Sequence, residues 1–377
     1  MTTSINEPHT KPNCANFSSG PCAKYPDWDI SDLNLDSLGR SHRSNLGKER
    51  LNSVIEQTRE ILNIPADYKI GIVPASDTGA FEMSLWSVLN NDIGVDVYAW
   101  ETFGFGWAND VKNHLKISDV NIVKAQYGKL PDLIHNENRD LVFTYNGTTS
   151  GVKLADTNWI KKDRTGLTIC DATSAIFVED LDWEKLDITT WSWQKALGGE
   201  GAHGIIIMSP RAVARLEKEG CDNRPLPKIF RMTKDNKLID GIFKGITINT
   251  PSMLCVEDLL ACYRWIKKIG GRSALQKRSY KNLEVVSNWV EKHDWVEFLA
   301  SNEKNRSSTA MCLTLKDSEL VNPLCELLEQ KKVAYDIRAH CDAPKGIRIW
   351  GGPTVESKDI EILTDWITWA YHKLQQK

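Results

Sequence analysis

The sequence predicts an α/β protein, with a large domain on a mostly parallel sheet followed by a smaller α+β domain. Three observations predict this. Short runs rich in Val, Ile and aromatic residues recur through the first two thirds of the chain: YKIGIVP, VDVYAW, DLVFTYN, LTICDAT, ITTWSWQK and HGIIIMSP. Most of them alternate with helical or loop stretches, as strands buried on both faces of a parallel sheet require. Beyond Trp265 the strand-like runs become AMCLTLK, KVAYDIR and GIRIW, alternating with two amphipathic helices, which suits a second, smaller unit.

In chain order, a polar arm covers 1–15, the large domain 16–262 and the small domain 263–377. Apolar residues at helical spacing place helices from Leu46 to Leu62, Phe81 to Leu89, Ser252 to Ile269, Arg272 to Lys292, Asn322 to Lys332 and Ser357 to Leu374. Gly270-Gly271 marks either a hinge or a plain helix C-terminus.

A chain of 377 residues, 41% of them hydrophobic, can bury a large core and points to two or three domain-sized units. Lys and Arg number 47 against 50 Asp and Glu, so there is no strong positive field for a nucleic acid or an anionic membrane, and a small substrate is the expected partner. The nine cysteines, at 14, 22, 170, 221, 255, 262, 312, 325 and 341, form no C-x-x-C pair and read as reduced thiols rather than as a zinc site or disulfide framework. The first fifteen residues lack the apolar core of a signal peptide, and no later run is long enough to span a bilayer, so a cytoplasmic location is expected. The N-x-[ST] triplets at Asn16, Asn146 and Asn305 are therefore chance matches.

Three apolar runs end in polar clusters: Asn146-Gly-Thr-Thr-Ser-Gly151, Asp171-Ala-Thr-Ser174 and Ser192-Trp-Gln-Lys195. In an open parallel sheet ligands bind beyond the carboxyl ends of the strands, so these clusters can converge on one crevice. They supply hydroxyls, a carboxylate and an amine. That set suits pyridoxal 5′-phosphate (PLP), whose aldehyde needs a lysine and whose ring nitrogen needs a carboxylate to stay protonated. Lys195 and Asp171 fit those roles. A lysine in a glycine-rich turn is ordinarily a surface residue; here the preceding apolar strand and Asp171 two dozen residues upstream favour the cofactor role. Gly199-Glu-Gly201-Ala-His-Gly204 matches G-x-G-x-x-G but runs from a loop into a strand, which excludes a dinucleotide fingerprint, and no P-loop is present. Pro74-Ala-Ser-Asp-Thr-Gly79 lies between a strand and a helix start, where free N–H groups and the helix dipole favour the cofactor phosphate over an ordinary cap. In Phe103-Gly-Phe-Gly-Trp107, Trp107 is the candidate to stack on the ring and Phe105 its competitor.

These residues resemble the phosphoserine aminotransferase family, among the class V aminotransferases with the PLP-dependent transferase fold type I, over nearly the whole chain. The resemblance is carried by Asn16-Phe-Ser-Ser-Gly-Pro-Cys22, Ser41-His-Arg-Ser44, Asp171-Ala-Thr-Ser174, Trp193-Gln-Lys195 and Gly346-Ile-Arg348. Gln194 separates it from cysteine desulfurases, which usually carry histidine there. The resemblance implies a seven-stranded-type large sheet, PLP bonded to Lys195, Asp171 on the ring nitrogen, Thr149 or its neighbour Thr148 near the ring hydroxyl, and Trp107 stacked on the ring. It implies Ser76, Asp77, Thr78 and Gln194 around the phosphate, and Asn249-Thr250 completing that cup from the other subunit of a homodimer. Arg348 would grip the substrate α-carboxylate. His42 and Arg43, also from the other subunit, and His340 would bind the substrate phosphate. No metal is implied. The implied reaction moves an amino group between glutamate with 3-phosphohydroxypyruvate and 2-oxoglutarate with O-phosphoserine in serine biosynthesis, with the phosphorylated hydroxythreonine of vitamin B6 synthesis as a further substrate to test. The alternative is another class V aminotransferase, acting on serine or alanine with glyoxylate; a binding protein without turnover is the reading from another class. Two positions depart from the family pattern. Asp77 would be unfavourable beside a phosphate unless it points away as a helix cap. Cys341 follows His340 where a second basic residue is common, leaving Arg40 and Arg338 in reserve.

Overall fold

The computed structural model describes residues 6–219 and 225–376. Cys221 and the first five residues of the arm lie outside them. A seven-stranded sheet forms the centre. The strands in chain order are β1 (Lys69–Pro74), β2 (Val95–Ala99), β3 (Val120–Lys124), β4 (Asp140–Thr144), β5 (Asn146–Gly147), β6 (Val152–Lys153), β7 (Thr168–Asp171), β8 (Ile188–Ser192) and β9 (His203–Met208). The sheet order is β1-β9-β8-β7-β4-β2-β3, and β9 alone runs against its neighbours. The two-residue β5 and β6 pair with each other.

Helices cover both faces, which is why β2, β4, β7, β8 and β9 are buried at every position and read as continuous apolar runs. On one face Ile205 and Ile207 pack with Leu51 and Ile55 of α1 (Asn45–Leu62) and Leu259 and Tyr263 of α5 (Met253–Ile269). On the other, Ile206 and Met208 pack with Phe81 and Leu85 of α2 (Ser76–Val88), Trp107 of α3 (Thr102–Asn109) and Ala212 of α4 (Pro210–Glu219). The alternation along β9 thus divides its side chains between two cores.

A second sheet, β12-β13-β14, joins Val296–Phe298, Ala310–Leu315 and Ile347–Trp350, and the hairpin of β10 (Thr233–Lys234) and β11 (Lys237–Leu238) precedes it. It packs with α6 (Arg272–Val290), α7 (Val321–Gln330) and α8 (Ser357–Gln375) around Trp350, Trp366 and Leu363. Phe17, Cys22 and Ala23 join this core, so the start of the chain bridges to the C-terminal layer.

The expected strand KVAYDIR does not form. Lys332 and Asp336 both adopt φ of 56°, which breaks the extended run and leaves isolated bridges, Tyr335 to Asn16 and Arg338 to Ile347. The structure also adds β3, the short pairs β5-β6 and β10-β11, β12, α3 and α4. β3 is a short, half-exposed edge strand, its apolar residues interrupted by Asn121 and ended by Lys124, so its apolar run is too brief to stand out.

Candidate active site

Parallel register builds the site. Thr144 of β4 lies beside Asp171 of β7, and Asp171 beside Thr190 of β8, so three polar residues stand level at the carboxyl ends of adjacent strands. Beyond them is a cavity of about 330 Å³ lined by Gly20, Ser76, Asp77, Thr78, Phe103, Trp107, Thr148, Asp171, Gln194 and Lys195, among others.

Lys195 follows β8 in a tight turn closed by a hydrogen bond from Gly198 N to its carbonyl at 3.0 Å. Gly198 is required there: its φ is 61°, and a Cβ would fall 2.2 Å from the Ala23 carbonyl oxygen. The Lys195 Nζ donates to the Ser19 carbonyl and lies 5.7 Å from the centre of the Trp350 ring. Burial lowers its proton affinity; Cys22, Asp171 and Glu101 oppose this, and Arg348 reinforces it. A lowered proton affinity favours the neutral amine, which is the nucleophilic form.

Asp171 is buried, and each of its oxygens is held. Trp107 Nε1 donates to Oδ2 at 3.2 Å and Thr173 N to Oδ1 at 3.0 Å. Trp107 is itself packed on Phe81, with ring centres 4.6 Å apart. Trp107 lines the cavity, whereas Phe105 lies against Tyr127 and is not among the lining residues.

At the start of α2, Ala75 and Ser76 take φ values of 66° and 52°, and no side chain caps the helix. Its first N–H groups therefore face the cavity without a protein partner of that kind, the arrangement an anion uses. Asp77 is not the cap that the sequence allowed: it sits inside the first turn, buried, with its carboxyl directed toward Asp171, Thr173 and Thr190.

Thr148 lines the cavity, its hydroxyl bonded to that of Ser174. Thr149 is not among the lining residues; its hydroxyl donates to Glu101 Oε2 at 2.8 Å and accepts from Thr102 N at 3.2 Å. Glu101 was not singled out from the sequence. It is fully buried, caps α3 by accepting from Gly104 N at 2.8 Å, and its carboxyl is pushed up to about 7 by burial. The available signal was that β2, like β7 and β8, ends in polar residues, Glu101-Thr102.

His340 is not among the lining residues but lies next to one, its ring 6.4 Å from that of Phe103 and its Nδ1 3.4 Å from the Thr102 hydroxyl. Arg348, on β14, lies near enough to Lys195 to act on its charge, and its buried Nε has no partner. Among the described residues, His340, Cys341 and Asp342 form a His/Cys/Asp grouping with ligand atoms within 4.8 Å. It is one turn of chain, in which Asp342 N already donates to His340 Nδ1 at 3.3 Å. His42, Arg43, Asn249 and Thr250 do not line the cavity of this chain, and Arg43, Asn249 and Thr250 are exposed.

Around the cavity, Thr144 Oγ1, Asn146 Oδ1, Thr173 Oγ1, Thr190 Oγ1, Ser192 Oγ and Gln194 Oε1 are buried without hydrogen-bond partners. Buried polar atoms are nearly always paired, so such a concentration marks a place that takes a polar ligand. A lysine, a carboxylate and an uncapped helix start around it match an aldehyde, a basic ring nitrogen and a phosphate.

Comparison with known proteins agrees with this geometry. No family model matches the chain. It is 54% identical to the phosphoserine aminotransferase of Methanosarcina barkeri, over 97% of this chain and 99% of that protein. It is likewise 54% identical to the phosphoserine aminotransferase of Methanosarcina mazei, over 94% and 96%. The chain belongs to the phosphoserine aminotransferase family. The crystal structure of a phosphoserine aminotransferase from Cytophaga hutchinsonii superposes with a TM-score of 0.82 at 19% identity, covering 93% of this chain and 97% of that one, and so shares the fold. In this aminotransferase no helix among the described residues is long and apolar enough to cross a membrane.

Proposed function

We propose that the chain transfers an amino group from glutamate to 3-phosphohydroxypyruvate, giving 2-oxoglutarate and O-phosphoserine, and the reverse, with PLP held at Lys195. The observation that carries the reading is the convergence of Lys195, Asp171 and the uncapped start of α2 on one cavity. Bound there, PLP supplies an electron sink for the electrons left when a proton leaves the substrate Cα.

The chain's own residues do the rest. Lys195 would hold the cofactor through its aldehyde, and its amine, whose proton affinity burial lowers, would take the proton from the substrate Cα and return it. Asp171, fixed by Trp107 and Thr173, holds the proton of the ring nitrogen. Trp107 covers the ring, and Thr148 or Thr149 serves its hydroxyl. Ser76, Thr78, Gln194 and the first N–H groups of α2 hold the cofactor phosphate. Arg348 binds the substrate α-carboxylate in a two-pronged contact, and His340 beside Phe103 binds the substrate phosphate. His42, Arg43, Asn249 and Thr250 act in the site of a second subunit, which makes the working unit a cytoplasmic homodimer. The phosphorylated hydroxythreonine of vitamin B6 synthesis carries the same phosphate and amino acid groups and is a further substrate.

The test is the visible absorption of PLP-loaded protein, followed as O-phosphoserine or serine is added at equal concentration. Bleaching by O-phosphoserine alone supports the reading. Equal bleaching by serine or alanine favours a different class V aminotransferase. No lysine-bound cofactor, even with added PLP, overturns the reading.

A further inference from the structure

Asp77 is the one acidic residue in the turn that faces the cofactor phosphate, and an anion there is a liability. Its surroundings remove the liability. Asp77 is 7% exposed and lines the same cavity as Asp171. Thr190 of β8 stands in register beside Asp171, and Thr173 follows it by two residues, so both hydroxyls frame the space between the carboxyls. Asp77 Oδ1 and both hydroxyl oxygens are buried without partners.

The acceptor sites of Asp171 decide where a proton between the two carboxyls resides. A carboxylate has about four lone-pair sites. Trp107 Nε1 and Thr173 N fill two of them, and neither donor can serve a protonated oxygen equally well. One further site is required for the ring nitrogen. A fourth is left over, and Asp77 lines the same cavity.

We propose that Asp77 is a positioning residue that works as a neutral acid: it carries a proton, directs its O–H at Asp171, and so steadies the ring-nitrogen partner without opposing the cofactor phosphate. This rests on the reading that the cavity holds PLP. Two like charges lining one buried cavity do not readily both ionise; burial and then Asp171 raise the proton affinity of Asp77 well above that of an ordinary aspartate, against the opposing Thr190 and Thr173 hydroxyls. Other titratable groups around the two carboxyls are Cys170 on β7, Lys195 beyond β8 and Glu101 before α3, with His203 on β9 paired to the end of β1 that leads into α2. Burial holds Cys170 and His203 neutral at pH 7, so neither of them supplies a counter-charge for an ionised Asp77.

The probe is pyridoxamine 5′-phosphate, which has the ring and phosphate but forms no bond to Lys195; its affinity is measured by titration calorimetry on wild type, Asp77→Asn and Asp77→Ala from pH 6 to 9. The ratio of wild-type to Asp77→Asn affinity cancels the ligand's own titrations. The expected result is near-equal affinity of wild type and Asp77→Asn at pH 6 to 7, with Asp77→Ala roughly tenfold weaker for want of the donor. Wherever Asp77 ionises at higher pH, wild type falls behind Asp77→Asn by at most about tenfold per pH unit. An infrared difference spectrum of wild type against Asp77→Asn at pH 7 should show one protonated carboxyl. Affinity tenfold tighter in Asp77→Asn at pH 7, no protonated carboxyl, or Asp77→Ala equal to Asp77→Asn would each overturn the inference. Wild type that binds neither pyridoxamine phosphate nor PLP overturns the cofactor reading with it.

Discussion

Glu101 and Lys195 are two buried groups of opposite type whose charged forms burial disfavours, and each yields a test. Glu101 keeps its proton in the folded state up to about 7, against an ordinary value of 4.5. Its folded proton affinity is raised, so its contribution to stability is full below about pH 4.5 and is lost as pH rises through 7, a change of about 3 kcal/mol. Melting of the cofactor-free protein should therefore fall between pH 5 and 8, and less so in Glu101→Gln, which cannot ionise; parallel profiles would remove Glu101 as the cause. Lys195→Ala should abolish the lysine-bound cofactor spectrum and lower turnover by roughly 10²–10⁴ for loss of the proton-transfer group, read by single-turnover kinetics. Lys195 and Asp171 were legible in the sequence because each follows an apolar strand. Glu101 lies two residues beyond β2, but the helix behind it, with Gly104 and Gly106 in its eight residues, has too little helical pattern to mark where that strand stops.

At the scale of elements, the position of α2 depends on two glycines. A Cβ on Gly79 would fall 2.2 Å from the Pro74 carbonyl oxygen, and one on Gly204 would fall 2.2 Å from that of Ser76. Both contacts are to backbone, so neither can be relieved by a rotamer change. Gly204→Ala should push the first turn of α2 away from β9, costing about 1–3 kcal/mol in the cofactor-free protein and weakening PLP binding beyond that loss. Calorimetric melting with and without PLP separates the two effects. The elements read well from sequence where one pattern dominated: α1, α5, α6 and α8 lie within two residues of the periodicity that marks them. α4 went unmarked although Ser209-Pro210 announces it, the Ser209 hydroxyl accepting from Ala212 N at 3.2 Å ahead of a proline in the first turn. The segment KVAYDIR misled because its composition is that of a strand, while the left-handed residues at Lys332 and Asp336 are a property of the tertiary setting.

At the scale of the whole molecule, the layers are tied by a buried ion pair. Lys153 Nζ lies 3.1 Å from Glu179, their side chains 8% and 7% exposed, and Tyr280 of α6 donates to the same carboxylate at 2.9 Å. Removing either charge alone should cost about 3–5 kcal/mol, since the other is left buried and uncompensated, while Lys153→Met with Glu179→Leu should recover much of it; denaturant unfolding of the three variants checks this. The proposed homodimer has its own test. Lys195→Ala and Arg43→Ala proteins, each impaired alone, should regain activity when mixed and allowed to exchange subunits, because one hybrid site receives both native residues; no recovery after verified exchange would place Arg43 outside the partner's site. The place of β1 in the sheet has a further consequence, for synthesis. Among the described residues its one strand neighbour is β9, and about 130 residues separate the end of β1 at Pro74 from the start of β9 at His203. At about 5–20 residues per second, the ribosome takes on the order of ten seconds to deliver that partner. During that interval the nascent chain carries an apolar, unpaired strand, so newly made protein should depend on chaperones that shield such segments more than refolding of the complete chain does.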